Sequence, residues 1–278
     1  MDGWQPSATP ATLGAKSKLL SQIRDFFSSR GVCEVHTPLL GRHTVTDPDV
    51  EGIAVPGYGF LQTSPEYFMK RLLAAGMGDC YQLASAFRHE EEGRLHNCEF
   101  CMLEWYRLDY SVEQLMQEVA DLCDVVLGKS DYQFHTYSSL VGVLDRPRDE
   151  LDLSFVQACE QLSGRCFVVD YPADQAALAR LQPGRPELAA RFELVIDGVE
   201  VANGYWELQD PAEHQHRFAQ DLVIRQSREL PSHTVDPAFL NALEAGLPAC
   251  AGVAVGVDRL SMLALGFDNI EDVLTFRR

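Results

Sequence analysis

Apolar residues recur at Leu19, Leu20, Ile23, Phe26 and Phe27. That spacing traces one face of a helix over residues 13–30, which Gly31 then ends. A second stripe, at Val112, Leu115, Met116, Val119, Leu122 and Val126, follows Ser111, with Gln114 three residues after the serine. Serine and glutamine so spaced form a capping box, and the stripe behind them is a core-facing surface rather than a site. Asp236-Pro237 opens a further helix that stops at Gly246, with a capping acid, a first-turn proline and a trailing glycine. Between residues 128 and 170 the pattern weakens, and Arg146-Pro147-Arg148-Asp149 predicts only a short helix running to Leu162.

Strand patterns fall between these helices. Residues 81–87 and 100–106 read as two apolar strands joined by a loop dense in charge, Arg88-His89-Glu90-Glu91-Glu92-Gly93-Arg94-Leu95-His96-Asn97. Asp197-Gly198 is a two-residue hairpin signal, which brings Glu193 and Glu200 to neighbouring strands. Gly252 to Gly256 reads as a small-residue strand that turns at Gly256 into a helix with Leu260, Leu263 and Ala264 on its inner face. Arg259 then lies in the first helical turn, where a cation opposes the helix dipole and serves a ligand better than the helix. Mixed helices and strands over 278 residues predict one α+β domain spanning 1–278.

The charged loop, the acidic hairpin and the glycine turn together suit ATP. Adenylation attacks the α-phosphate and expels pyrophosphate, so charge on several phosphates must be neutralised by arginines, a histidine and a divalent ion. Arginine pairs phosphate bidentately and also stacks on aromatic faces. Phe100 and Arg259 are thus placed to hold adenine between them, with Arg88 on the α-phosphate and His96 near the β- and γ-phosphates. Glu193 and Glu200 suit magnesium, which takes one or two carboxylates and leaves the rest of its shell to water and phosphate. Each piece alone has a plainer reading, as a solvated charge pair at a strand end or a hairpin with acids facing water. Glu207 follows Glu200 by an odd number of residues, so a bend at Asn203-Gly204 is expected if both are to share a site.

On these residues the chain resembles class II aminoacyl-tRNA synthetases of the lysyl type. The three pieces match motif 2, the acidic substrate strand and motif 3, and residues 26–40 match motif 1. More narrowly, it resembles the lysyl-tRNA synthetase paralogues that modify a lysine of elongation factor P. The landmarks are Trp4-Gln5-Pro6-Ser7, Thr63-Ser64-Pro65-Glu66-Tyr67, Met102-Leu103-Glu104-Trp105-Tyr106-Arg107, Ala202-Asn203-Gly204 and the run from Gly256 to Gly266. The resemblance implies an antiparallel sheet flanked by helices, and a homodimer formed through motif 1. It implies ATP and Mg2+ as cofactors, with Arg88 and Arg259 catalytic. ATP would be bound by Arg88, His89, Glu90, His96, Asn97, Phe100, Glu200, Val201, Gly256 and Arg259, with Glu193 and Glu200 facing the metal. Ser64, Pro65, Glu66, Tyr106, Asn203, Tyr205, Glu207 and Ala254 would bind the amino acid, (R)-β-lysine or lysine, with elongation factor P as the acceptor protein. The substrate carboxylate is already an ionised nucleophile, so no general base is required for its activation.

Some positions depart from the pattern. His89 replaces an Asn, Cys98 a Pro, and Phe68 a Tyr, whose missing hydroxyl points to a changed amine arrangement unless Tyr205 supplies one. Two further readings stay open, a free-standing ligase that uses a small amine and a catalytically silent regulatory paralogue.

Charge separates this chain from a tRNA-binding enzyme. Lys plus Arg number 23 against 41 Asp plus Glu, a formal charge of −18, and that field repels a polyanion. Only about a dozen residues precede the first helical pattern, so an anticodon-binding domain and bound tRNA are not expected. No run approaches the roughly 20 apolar residues of a membrane span, and Met1-Asp2-Gly3-Trp4 lacks the basic start of a signal peptide. Eight scattered cysteines suggest reduced thiols in the cytoplasm. Cys98 and Cys101 form one C-x-x-C, but strand alternation at that spacing sends them to opposite faces, which argues against zinc.

Overall fold

Eight strands form the central sheet of the computed structural model, which describes residues 4–89 and 92–277. In chain order they are β1 (Cys33–Glu34), β2 (Cys80–Phe87), β3 (Glu99–Leu108), β4 (Tyr132–Thr136), β5 (Arg165–Val169), β6 (Arg191–Ile196), β7 (Val199–Trp206) and β8 (Cys250–Gly256). Across the sheet the order is β1-β2-β3-β8-β7-β6-β5-β4. Its interior pairs are antiparallel, whereas the edge pairs β1–β2 and β4–β5 are parallel. The expected antiparallel sheet is therefore its centre, not its edges.

Strand alternation divides the two faces. Leu103, Trp105, Phe192, Leu194, Val253 and Val255 bury one face against α1 (Pro10–Ser29) and α3 (Val112–Leu127). Phe27 of α1 stacks on Tyr81 at 4.4 Å and meets Trp105 edge-on at 5.2 Å, a packing that anchors the helix to β2 and β3. The capping box at Ser111 and Gln114 is formed. Residues between these, including Glu104, Asn203 and Ala254, point to the other face.

A third helix, α8 (Val257–Ala264), joins α1 and α3 on the first face through Val257, Leu260 and Met262. The remaining helices are α2 (Glu66–Ala74), α4 (Tyr137–Val141), α5 (Arg148–Glu160), α6 (Pro211–Ser227) and α7 (Pro237–Gly246). Met69 and Leu73 of α2 pack with Phe218 of α6 and with Phe239 and Leu243 of α7 around Tyr106 and Cys250.

One turn and one bulge set the site. Asp197 and Gly198 both have positive φ, 48° and 81°, as a two-residue hairpin of this hand requires. Between β6 and β7, Leu194 pairs with Ala202 but Val195 pairs with Glu200, so Val201 is an extra residue on β7. A bulge shifts the side-chain phase by one position. Glu200 therefore shares a face with Asn203, Tyr205 and Glu207 despite the odd spacing, and no bend occurs at Asn203-Gly204. Gly204 serves close packing instead, since a Cβ there would lie 2.4 Å from Phe192 Cζ.

Among the described residues, no helix is long and apolar enough to cross a membrane. No group of three or more His, Cys, Asp or Glu side chains there is arranged to hold a metal ion by itself. Cys98 lies buried just before β3, and burial pushes the half-buried Cys101 thiol up to about 12.

Candidate active site

A cavity of about 990 Å³ lies over the second face of β3, β8 and β7. Gly252 and Gly256 leave room along β8, and Ala254 between them pairs with Glu104 on one side and Asn203 on the other. The glycine at 252 is required by close approach. A Cβ there would lie 2.3 Å from Tyr106 Cε1 and 2.5 Å from Glu207 Oε1. One wall is the loop of residues 45–50, held by α6: Thr46 donates to Asp221 at 2.7 Å, and buried Arg225 donates to the Asp47 carbonyl at 3.0 Å and pairs with Glu51.

At the inner end, carboxylates outnumber cations. Glu66 opens α2, Glu104 stands on β3, and Glu207 follows β7, all three lining the cavity. Glu104 accepts hydrogen bonds from the Ser64 hydroxyl at 2.6 Å and the Tyr106 hydroxyl at 2.7 Å. Burial pushes its carboxyl up to about 8, the charge of Glu66 adding to the effect while the two hydroxyls and Lys70 oppose it. Burial also raises Glu207, partly offset by Lys70. The fully buried Lys70 ammonium is 2.6 Å from Glu66 Oε1 and 2.6 Å from Glu207 Oε2. Two carboxylates at that distance, with no water between, hold Lys70 charged, against the pull of its own burial. Asn203 directs a buried Oδ1 with no hydrogen-bond partner into the same space, an acceptor that an incoming N–H would satisfy.

The outer end is built for anions. Arg88, at the exit of β2, holds its guanidinium 5.3 Å from the centre of the Phe100 ring. Arg259, in the first turn of α8, donates to Leu95 O at 3.2 Å and to Glu200 O at 2.9 Å. Its other contacts are Glu200 Oε2 at 3.3 Å and His96 Nε2 at 2.7 Å. Asp258, the residue before it, pairs with Lys16 of α1 at 2.5 Å and accepts from Cys101 N at 2.6 Å; these contacts fix the helix end that carries Arg259.

Beside them, Glu193 pairs with Arg191 at 2.6 Å. Burial and then the charge of Glu200 push the Glu193 carboxyl up to about 7. Two neighbouring carboxylates of this kind fit a divalent ion between them.

The chain matches the family described as class II tRNA synthetases (D, K and N) over residues 4–278. It belongs to that family. This class II synthetase chain is 41% identical to the elongation factor P–(R)-β-lysine ligase of Vibrio vulnificus, over 98% of this chain and 97% of the relative. It is 42% identical to the protein of that name from Vibrio cholerae and 41% identical to that from Salmonella paratyphi B, over the same shares. These alignments run to 314 positions, more than the 278 residues of this chain, so the relatives carry insertions that it lacks. Such ligases of class II synthetase type use ATP.

The class II synthetase motifs come together largely as expected. Ser64, Glu66, Tyr106, Asn203, Tyr205, Glu207 and Ala254 line the inner part of the cavity. Arg88, His96, Asn97, Phe100, Glu200, Val201, Gly256 and Arg259 line the outer part. Three expected residues stand off its wall. His89 is exposed and ties its backbone N–H to Glu51 O at 2.8 Å; Pro65 is buried at the start of α2; Glu193 stands behind Arg191. Glu90 lies outside the described residues. Arg88 stands over Phe100 here, whereas Arg259 is held by Leu95, Glu200 and His96. Phe68 is away from the cavity, its ring against Gly41 and Arg71, so a hydroxyl at that position does not reach the inner pocket. Sequence reasoning missed Lys70, Glu104 and Arg191. Alternation on β3 and β6 was the available signal for the last two.

Proposed function

We propose that this chain activates (R)-β-lysine, or lysine, with ATP as an aminoacyl-adenylate and transfers the acyl group to a lysine ε-amino group of elongation factor P. The observation that carries the reading is the inner pocket, where the carboxylates of Glu66, Glu104 and Glu207 share one cavity with the arginines of the outer end. An ammonium in a closed pocket needs such partners, because an unpaired buried charge is prohibitively costly. The names of the relatives agree with it.

In this reading the amines enter among Glu66, Glu104, Glu207 and Asn203, which turns the substrate carboxylate toward the outer end. That carboxylate attacks the α-phosphorus, a P–O bond forms, and pyrophosphate leaves. Arg88 neutralises the α-phosphate, while Arg259 and His96 hold the leaving phosphates. Glu200, with Glu193 beside it, would hold magnesium, which supplies further neutralisation of phosphate charge. In the second half-reaction the acceptor amine attacks the carbonyl carbon, a C–N bond forms, the amine sheds a proton, and AMP leaves. A homodimer through residues 26–40 accompanies this reading, supported by the exposed Leu39 and Leu40 next to β1.

The test is ATP–pyrophosphate exchange with each lysine isomer, followed by mass measurement of elongation factor P. The expected result is exchange that depends on β-lysine or lysine, and a mass gain on one lysine of the acceptor. Exchange without a mass gain, but with amide formed from ammonia, would favour a small-amine ligase. Absence of exchange with every isomer would favour a silent paralogue.

A further inference from the structure

Lys70 takes no part in the chemistry just described, yet it is bound to two of the three acids that do. Its side chain is fully buried on α2, contacting Glu66 from its own helix and Glu207 from the end of β7, both at 2.6 Å. Lys70 does not reach the cavity wall, whereas both acids do. It therefore stands behind them, too deep to touch a substrate. Glu207 turns its other oxygen, Oε1, toward Gly252 on the cavity side.

The charges of the inner pocket can be counted. Glu66, Glu104 and Glu207 contribute three carboxylates, and Lys70 one ammonium. His214, on α6, is neutral, its imidazole pushed down to about 4 by burial and by the charge of Lys70. Arg191 pairs with Glu193, and Arg259 with Glu200, toward the nucleotide end. Asp47 and Asp221 belong to the loop and helix that wall the mouth. The inner pocket is thus left with two negative charges when all three acids are ionised.

We infer that Lys70 is a built-in counter-ion, a positioning and specificity-determining residue that sets the pocket to accept two ammonium groups and holds Glu66 and Glu207 where those groups arrive. The inference rests on the proposed function, because only a diamino acid with its carboxylate turned to ATP brings two ammonium groups to this place. With one uncompensated acid, one substrate ammonium would be buried unpaired. With three, a carboxylate would remain unpaired after the substrate bound. Either imbalance carries the penalty of an isolated buried charge. The raised Glu104 fits this count: the empty pocket keeps a proton there, and the second ammonium displaces it.

The experiment is a charge-rescue cycle read by calorimetric binding of the lysine isomer that supports exchange. A non-hydrolysable ATP analogue is present throughout, so that binding is separated from transfer. Glu104→Gln leaves one net negative charge and is expected to weaken binding by about 100-fold or more. Lys70→Met combined with Glu104→Gln returns the count to two and is expected to recover at least about tenfold of that loss. Norleucine, with one ammonium, is expected to bind Glu104→Gln and wild type with similar affinity. If the folded double variant binds no better than Glu104→Gln, the inference is overturned while the proposed function stands.

Should removal of Lys70 prevent folding, proton release decides the question in the unaltered protein. Titrations near pH 7 in two buffers of different ionisation enthalpy are expected to show close to one proton released per lysine bound and close to none per norleucine. Equal release for both ligands overturns the charge count. Failure of the wild-type chain to bind any lysine isomer overturns both this inference and the function it rests on.

Discussion

Gly252→Ala tests the geometry of the inner pocket with a single methyl group. The added Cβ would lie 2.3 Å from Tyr106 Cε1, 2.5 Å from Tyr106 Cδ1 and 2.5 Å from Glu207 Oε1. Ordinary contact needs about 3.5 Å between carbons, so the Tyr106 ring must move by roughly 1 Å. That ring is buried, and its hydroxyl is the donor to Glu104; Glu207 is held by Lys70. The strain therefore passes directly to two of the three pocket acids. Overpacking of this kind costs about 1–3 kcal/mol. In a chain of this size that lowers the melting temperature by roughly 2–12 °C, at about 2–4 °C per kcal/mol. The larger effect is on activity, because a displacement of about 1 Å at a positioning group can cost about 100-fold. Thermal unfolding measures the first quantity, and lysine-dependent ATP–pyrophosphate exchange the second. A variant with wild-type melting temperature and wild-type exchange kinetics would refute the close contact of Gly252 with Tyr106 and Glu207, and with it the inner pocket as drawn.

Arg259→Ala is expected to lower exchange by two orders of magnitude or more, about 3 kcal/mol, with the fold retained; circular dichroism and exchange together check it. Glu200→Gln and Glu193→Gln are each expected to raise the magnesium concentration needed for half-maximal exchange, the former more strongly because Glu200 lines the cavity whereas Glu193 stands off its wall, bound to Arg191 at 2.6 Å. Ala254→Gly removes a methyl between Glu104 and Asn203 and is expected to shift the ratio of specificity constants toward α-lysine by roughly 5- to 150-fold, about 1–3 kcal/mol. An unchanged ratio would make Ala254 a packing residue only. Two buried groups make the stability of the ligand-free chain depend on pH in opposite directions. Glu104 has a folded pKa raised to about 8, so its contribution is complete below its unfolded value near 4.5 and is lost as pH rises through 8. His214, lowered to about 4, contributes above its unfolded value near 6.5 and loses about 3 kcal/mol as pH falls toward 4. Chemical denaturation from pH 4.5 to 9 measures both limbs, and a curve without an alkaline decline would contradict the placement of Glu104.

Signals that are local in the chain were the legible ones. The capping box at Ser111, the Asp197-Gly198 turn and the strand-to-helix turn at Gly256 depend on a few adjacent residues, and each is formed. The outer arginines were legible for the same reason, since each terminates a recognisable strand or opens a helix. Lys70 was not. A lysine on an amphipathic helix normally faces water, and only the arrival of Glu207 from a distant strand makes its burial tolerable. Glu104 was hidden among apolar neighbours on β3, and only its alternation with Tyr106, two residues on, marked it as facing the cavity. Phe68 was misread because its neighbour Tyr67, stacked on Phe239 at 4.2 Å, takes the position on the cavity wall. At β7, Asn203-Gly204 offered a conspicuous place for an irregularity, and the bulge fell instead at Val201, which has no compositional mark.

The extra residue at Val201 also ties the two halves of the site to a single count along the chain. Glu200 serves the phosphate side and Asn203, Tyr205 and Glu207 serve the amino-acid side, and they share a face only because one unpaired residue separates them. Deleting any one residue at that point would restore strict alternation. Either Glu200 would turn into the apolar layer beneath α3, or Asn203 and Glu207 would. Substitution at Val201 preserves the arrangement so long as the backbone keeps its bulge, but a change of length does not. Among descendants of this chain, the short stretch between Glu200 and Asn203 can vary in side chain while its number of residues stays fixed, a constraint on insertion and deletion that operates apart from any constraint on residue identity.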